Sequence, residues 1–319
     1  MSEKNDGREF PSGNILLVGG SGLIGRELEK RLIGAGYQVF RVNRHSSSHH
    51  QHSSLANEIC WDLMKPHPDY GLFADFKAVI SLAGAGIADR RWSAKRKQEL
   101  RQSRVEVSRV IVSTLNQPGN EGVRFICASA VGIYGNRGDQ VLTEDSPVDG
   151  SSFLGRLASD WEAEVAQLVS GNFVQARFGV VLSSAGGALK KMLTPFRLGL
   201  GGPLGSGRQF MSWIAIDDAV AALMFLIEHR EITGPVNLVS PNPVSNREFA
   251  HALAKTLHRP CIFPVPGFVL QMLLGEMADA LLLSGCRVQP KRLLEAGFTF
   301  QYADLLMALR KLLSQRITP

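Results

Sequence analysis

The chain has 319 residues, of which 45% are hydrophobic and 20% charged, a balance that excludes a disordered or fibrous protein. The formal charge of +6 suits an anionic ligand or a polyanion without identifying one. At roughly 150 residues per domain the length allows about two domains or one large one.

The opening stretch MSEKNDGREFPSG carries no apolar core, so residues 1–13 read as a polar tail and no secretory signal is expected. NILLVG (14–19) is a short apolar run closed by glycine, which predicts a buried strand. The next segment places Leu23, Ile24, Leu28, Leu32 and Ile33 at helical spacing, with Gly34 and Gly36 as stop signals. Further strands are predicted at Tyr37–Val42, Lys77–Leu82, Arg124–Ala128 and Phe173–Leu182, and helices at Lys95–Leu115 and Leu157–Leu168. Such alternation predicts an α/β fold: a Rossmann, doubly wound parallel sheet with helices on both faces.

After Leu182 the texture changes. Residues 186–210 hold seven glycines and two prolines around a short helix at Leu189–Leu198. A helix at Ile214–Arg230 and a strand at Pro235–Val239 follow, and the rest is helical and amphipathic. The expected organisation is a Rossmann domain over 14–182, completed by about 213–240. Residues 183–212 and 241–319 form a smaller, mostly helical C-terminal lobe on the substrate side.

Several segments point away from other classes. The longest apolar region, Ile262 to Leu283, is cut by Pro264, Pro266, Gly267, Gly275, Glu276 and Asp279, so no membrane span is expected. Cys60, Cys127, Cys261 and Cys286 form no CxxC pair, which argues against zinc and disulfide scaffolds and suits a reducing cytoplasm. The His/Ser-rich segment His45–Ser54 lacks an accompanying carboxylate or Cys and reads as a solvated loop rather than a metal site. The basic run Arg90–Arg104 accompanies no nucleic-acid module, so it reads as a helix with a solvated face carrying one or two inward ligands. The expected partner is a small-molecule substrate, with no nucleic acid and no membrane, for a monomer or homodimer.

VGGSGLIG places Gly19, Gly22 and Gly25 between a predicted strand and a predicted helix. In that context Gly19 permits the tight turn, Gly22 lets the backbone approach a pyrophosphate, and Gly25 lets helix and strand pack closely. Leu23 and Ile24 between them are counted with the cofactor-binding residues. At the end of the second strand Asn43-Arg44 replaces the acidic residue that would accept the ribose hydroxyls of NAD. An arginine there pairs with a 2′-phosphate, so NADP(H) is the expected cofactor. Asp62 is a candidate acceptor for the adenine amino group, or a turn residue. In SLAGAGI (81–87) the small residues let backbone at Leu82, Ala83 and Gly84 lie against the cofactor.

VGGSGLIG, SLAGAGI with RRW, SAVGIYG, WEAE, ARFGVVL and the long block PFRLGLGGPLGSGRQFMSWIAIDD together resemble an extended short-chain dehydrogenase/reductase. The likeness is to the atypical "epimerase family protein" branch (human family 39U type) and spans about residues 14–313, including that branch's C-terminal domain of unknown function. It implies NADP contacts at Asn43-Arg44, Leu82-Ala83, Glu99, Arg104 and Val181. Glu99 and Arg104 lie about 140° apart on a helix, so Arg104 would meet a phosphate while Glu99 orients a ribose or Arg104 itself.

Ordinary members of that superfamily use Ser, Tyr and Lys, with Tyr as acid/base and Lys lowering its pKa. Here the Tyr position falls at Leu154, the Lys position at Ala158 and the Ser position at Ala130. No YxxxK occurs between Gly135 and Val180. Ser129 and Tyr134, just beyond the fifth strand, are the candidate replacement catalytic residues. Arg197, Gln209 and Trp213 are the candidate substrate-side residues, with Arg197 as an anion clamp. Asp217 and Asp218 are expected to cap the helix after them. Two readings follow: an NADP-dependent oxidoreductase or epimerase-like enzyme acting on a CH–OH group, or a non-catalytic NADPH-binding sensor or interaction protein.

Overall fold

A computed structural model describes residues 13–43, 57–65, 67 and 71–314, apart from the Leu72 side chain. Seven strands form one sheet: β1 (Asn14–Val18), β2 (Gln38–Asn43), β3 (Asn57–Cys60), β4 (Phe76–Ser81), β5 (Arg124–Ala130), β6 (Phe173–Phe178) and β7 (Gly234–Leu238). Their order is β7-β6-β5-β4-β1-β2-β3, and every pairing is parallel. The order reverses between β1 and β4, and ligands of such sheets bind outside the carboxyl ends of the strands at that point.

Strand alternation sorts the core. Ile15 and Leu17 of β1 face one layer with α1 (Leu23–Gly34) and later helices, whereas Leu16 and Val18 face the other. Both sides are covered, which explains why the strand reads as a continuous apolar run. The first layer also holds Leu189 and Leu193 of the helix Gly187–Arg197, Leu223 and Leu226 of Ile216–Glu228, and Leu253 of Asn246–Leu257. The second holds Leu100, Ile111, Leu157 and Trp161.

Several elements differ from the sequence expectation, among them the helix expected at Leu157–Leu168, which runs Phe153–Val165. The Lys95–Leu115 helix contains a π turn: α-helical at Ala94–Arg101 (α2), π-helical at Gln102–Glu106, and α-helical again at Val107–Leu115 (α3). The Phe173–Leu182 strand breaks at Gly179, where a Cβ would lie 2.4 Å from the Ser212 carbonyl oxygen. Val180–Leu182 then pairs with Trp213–Ala215, so the residues read as the start of a helix are strand.

The expected cap is also corrected. Asp217 and Asp218 lie inside the first turn of Ile216–Glu228, whose N-cap is Ala215 with no side-chain bond. The Asp217 carboxylate accepts from Arg31 at 2.7 Å. Asp218, buried, accepts the Gln301 and Tyr302 backbone N–H groups at 2.8 and 2.9 Å and so anchors the C-terminal segment. No helix among the described residues is long and apolar enough to cross a membrane.

Candidate functional site

The glycine turn after β1 separates into packing and opening. Gly19 has φ +82°, and a Cβ there would lie 2.8 Å from the Leu82 carbonyl. A Cβ on Gly25 would lie 2.4 Å from the Gly19 oxygen. The protein's own backbone therefore demands both glycines. At Gly22 the only neighbour of such a Cβ within 4 Å among the described residues is the Gly19 oxygen at 3.3 Å, so this position opens outward. Gly22 is also the N-cap of α1 and offers no side-chain acceptor, leaving the first helical N–H groups for a ligand. A cavity of about 390 Å³ lies there, lined by Gly19, Gly22, Leu23, Ile24, Gly25, Leu82, Gly84 and Val181, joined by Val180, Gly187 and Ala188. An open glycine turn facing uncapped N–H groups fits a dinucleotide pyrophosphate.

Arg104 sits in the π turn, buried at 8% exposure. It donates to Ala85 O at 2.9 Å, Leu100 O at 3.2 Å and Ser103 Oγ at 3.3 Å. These acceptors are neutral, and no carboxylate among the described residues pairs with it. Burial, helped by the nearby Arg96 charge, brings its pKa down to about 10, so it stays cationic at neutral pH. A Cβ on Gly84 would lie 2.9 Å from the guanidinium carbon, which places Arg104 behind a lining residue of the smaller cavity, while Arg104 itself lines the larger one described next. Glu99 does not orient Arg104: its carboxylate accepts from Arg96 at 3.0 Å. That bond holds the Glu99 pKa below its usual value.

A second cavity, about 1,010 Å³, shares Val180 and Ala188 with the first. The helix α4 (Phe153–Val165) turns Leu154, Leu157, Ala158 and Trp161 into it, at helical spacing. The positions expected for Tyr and Lys thus face the cavity and are apolar.

The replacement donors are not there. Ser129 and Tyr134 do not line either cavity. Ser129 Oγ donates to Glu162 Oε1 at 2.6 Å. The Tyr134 hydroxyl, at 0% exposure, donates to Asn237 Oδ1 and accepts from Arg177, both at 2.8 Å. Burial raises the Tyr134 pKa despite the Arg177 charge, the opposite of what an acid/base tyrosine needs. Two substrate-side expectations are corrected as well. Arg197 is exposed at the end of Gly187–Arg197 and outside both cavity walls. Trp213 is fully buried and donates to Asn242 O at 3.0 Å. Gln209 does line the larger cavity, but its amide donates to Leu204 O and Leu282 O.

At the sheet's other edge, Asn43 donates to Glu58 at 3.3 Å. Asp62 Oδ1 accepts the Met64 N–H at 3.1 Å, the turn arrangement. Arg44 and the His/Ser-rich segment lie outside the described residues. Sequence reading missed Gly187 and Ala188, whose signal was the Gly186-Gly187 pair opening a helix, and the apolar wall contributed by Met192 and Phe249.

Comparison with known proteins finds relatives over nearly the whole chain. The model of the NAD dependent epimerase/dehydratase family matches residues 15–238, and a domain of unknown function, DUF1731, matches 265–312. The chain is 40% identical to an epimerase family protein of Mycobacterium bovis over 290 residues, covering 90% of this chain and 93% of that one. Human epimerase family protein SDR39U1, solved with NADPH, superposes with a TM-score of 0.84 at 32% identity, covering 94% of this chain and 99% of that one. A nucleoside-diphosphate sugar epimerase from Corynebacterium glutamicum gives 0.74 at 30% identity, covering 95% of this chain but 58% of that one.

Proposed function

Because the chain belongs to the NAD-dependent epimerase/dehydratase family, we propose that it binds NADP(H) along the carboxyl edge of its sheet and acts as an oxidoreductase or epimerase-like protein on a CH–OH group. The observation that carries this reading is the open Gly22 position facing the uncapped start of α1, continuous with a large second cavity. The NADPH in the human relative supports the phosphorylated cofactor.

The residues at hand divide the work. Gly22 and the first N–H groups of α1 receive the pyrophosphate. Leu82, Gly84 and Val181 give a close wall for the rest of the dinucleotide. Arg104 supplies a buried positive charge at the junction, and Asn43 with Arg44 receives the adenosine end. A bound NADPH supplies a hydride, and the protein's part is to orient it. Leu154 and Ala158 transfer no proton, so the step that Tyr and Lys accelerate by about 10²–10⁴ is absent from this wall.

That apolar pair favours a second reading, cofactor binding without turnover. One measurement tests what the two share and a second separates them. Fluorescence titration should show NADPH binding in either case. Steady NADPH oxidation by added carbonyl compounds supports the enzyme, whereas binding with no oxidation across a broad carbonyl panel leaves the sensor. Failure to bind NADPH overturns both.

A further inference from the structure

The larger cavity has a chemical character that nucleotide sugars do not match. Leu154, Leu157 and Ala158 approach from α4, and Met192, Phe196 and Phe249 from the two helices opposite. The far wall is Val265 with Leu281 and Leu282, from the C-terminal lobe. Gln209, Ser212 and Asn246 also line the cavity, but each is bonded within the protein, and a sugar's hydroxyls placed against the apolar surfaces would lose water without gaining partners.

A diphosphate fares no better. Three cations face the cavity, Arg104, Arg156 and Lys191, but so do Asp149, Glu276 and Asp279. Arg156 turns its guanidinium onto the Gly150 and Ser151 carbonyls, and Lys191 donates to Ala88 O at 2.9 Å. The start of α4 also borders the space, yet Ser152 Oγ already accepts the Gly155 N–H at 2.9 Å. Arg104 alone is buried with only neutral acceptors, and it stands behind Gly84, which lines the smaller cavity.

We infer that this cavity takes a lipophilic carbonyl compound or alcohol, its polar end toward Arg104 and the glycine turn and its apolar body between α4 and the C-terminal lobe. The inference rests on the cofactor reading only for which end reacts; the apolar body is read from the walls alone.

The test is calorimetric titration of the full chain, with and without NADPH, using 2-alkanones of increasing length and UDP-glucose. Burial of about 0.8 kcal/mol per methylene predicts affinity rising roughly three- to fourfold with each added carbon until the cavity fills. UDP-glucose should bind more weakly than the longer ketones. Met192→Glu, which puts a charge into the wall, should weaken ketone binding more than about tenfold and leave NADPH affinity unchanged. A chain-length series with no slope, or UDP-glucose binding tighter than every ketone, overturns the inference. Because the slope is measured on the unmodified protein, misfolding of the variant does not blur the result. Ketones that bind with the expected slope in a protein that does not take NADPH would sink the cofactor reading and leave this one standing.

Discussion

Arg177 on β6 meets Glu162 on α4 at two points, Nε to Oε1 at 2.8 Å and Nη2 to Oε2 at 2.6 Å, with both side chains buried. Burial works to lower the Arg177 pKa, but the Glu162 bonds and charge outweigh it and hold the guanidinium above its ordinary value. Ser129, Tyr134 and Asn237 complete the cluster, and the Asn237 N–H reaches Glu144 at 2.9 Å. This network locks α4 to the sheet, and α4 carries the apolar wall of the cavity.

Breaking that pair from one side should be costly. Glu162→Gln or Arg177→Met should each lower stability by about 3–5 kcal/mol, because a buried charge is left uncompensated. The double substitution should cost less than the sum of the two. Urea unfolding of the four proteins measures this; additive losses would show that the two residues are not coupled.

Tyr134→Phe discriminates a structural from a catalytic tyrosine. Removing the hydroxyl leaves Asn237 Oδ1 and one Arg177 nitrogen without their bonds, at about 1–3 kcal/mol of stability. Any carbonyl-dependent NADPH oxidation should be unchanged. A fall of about 10²–10⁴ in rate would restore Tyr134 as the proton donor and contradict its burial.

Gly25 and Gly22 should fail differently. Gly25→Ala should destabilise the fold by about 1–3 kcal/mol, as overpacking does, because its Cβ meets the Gly19 oxygen. Gly22→Val should unfold near the parent temperature yet lose NADPH, since its side chain enters the open space. Thermal melts paired with NADPH titration separate the two. Retained NADPH affinity in Gly22→Val would move the cofactor off this turn.

Arg44→Ala tests cofactor choice. Loss of a charge-assisted bond of about 1.5–3 kcal/mol weakens NADPH by roughly 10- to 150-fold. NADH, with no 2′-phosphate, should be nearly unaffected. Equal losses for both nucleotides would remove Arg44 from the phosphate site.

Thiol labelling should follow burial. The Cys127 thiol and the Cys286 thiol are each pushed up to about 12 by burial, which keeps them protonated at neutral pH. Cys60 is exposed. Ellman titration of the folded protein should find Cys60 first, with Cys127 and Cys286 reacting only on unfolding. Rapid labelling in a Cys60→Ser variant at Cys127 would show that the β5 core opens readily.

The alternation of apolar runs, the Gly19–Gly25 spacing and the missing YxxxK were legible in the chain because each is a local pattern. Strand period, turn glycines and the chemical identity of Leu154 and Ala158 need no knowledge of neighbours. The roles of Ser129, Tyr134, Arg197 and Trp213 were not local. Whether a hydroxyl faces a cavity or a buried partner depends on side chains 33, 43 or 103 residues away, which no spacing rule reaches. The π turn under Arg104 and the apolar wall that α4 shares with the C-terminal lobe arise the same way. Tertiary packing alone chose which polar groups meet each other and which surface was left for a ligand.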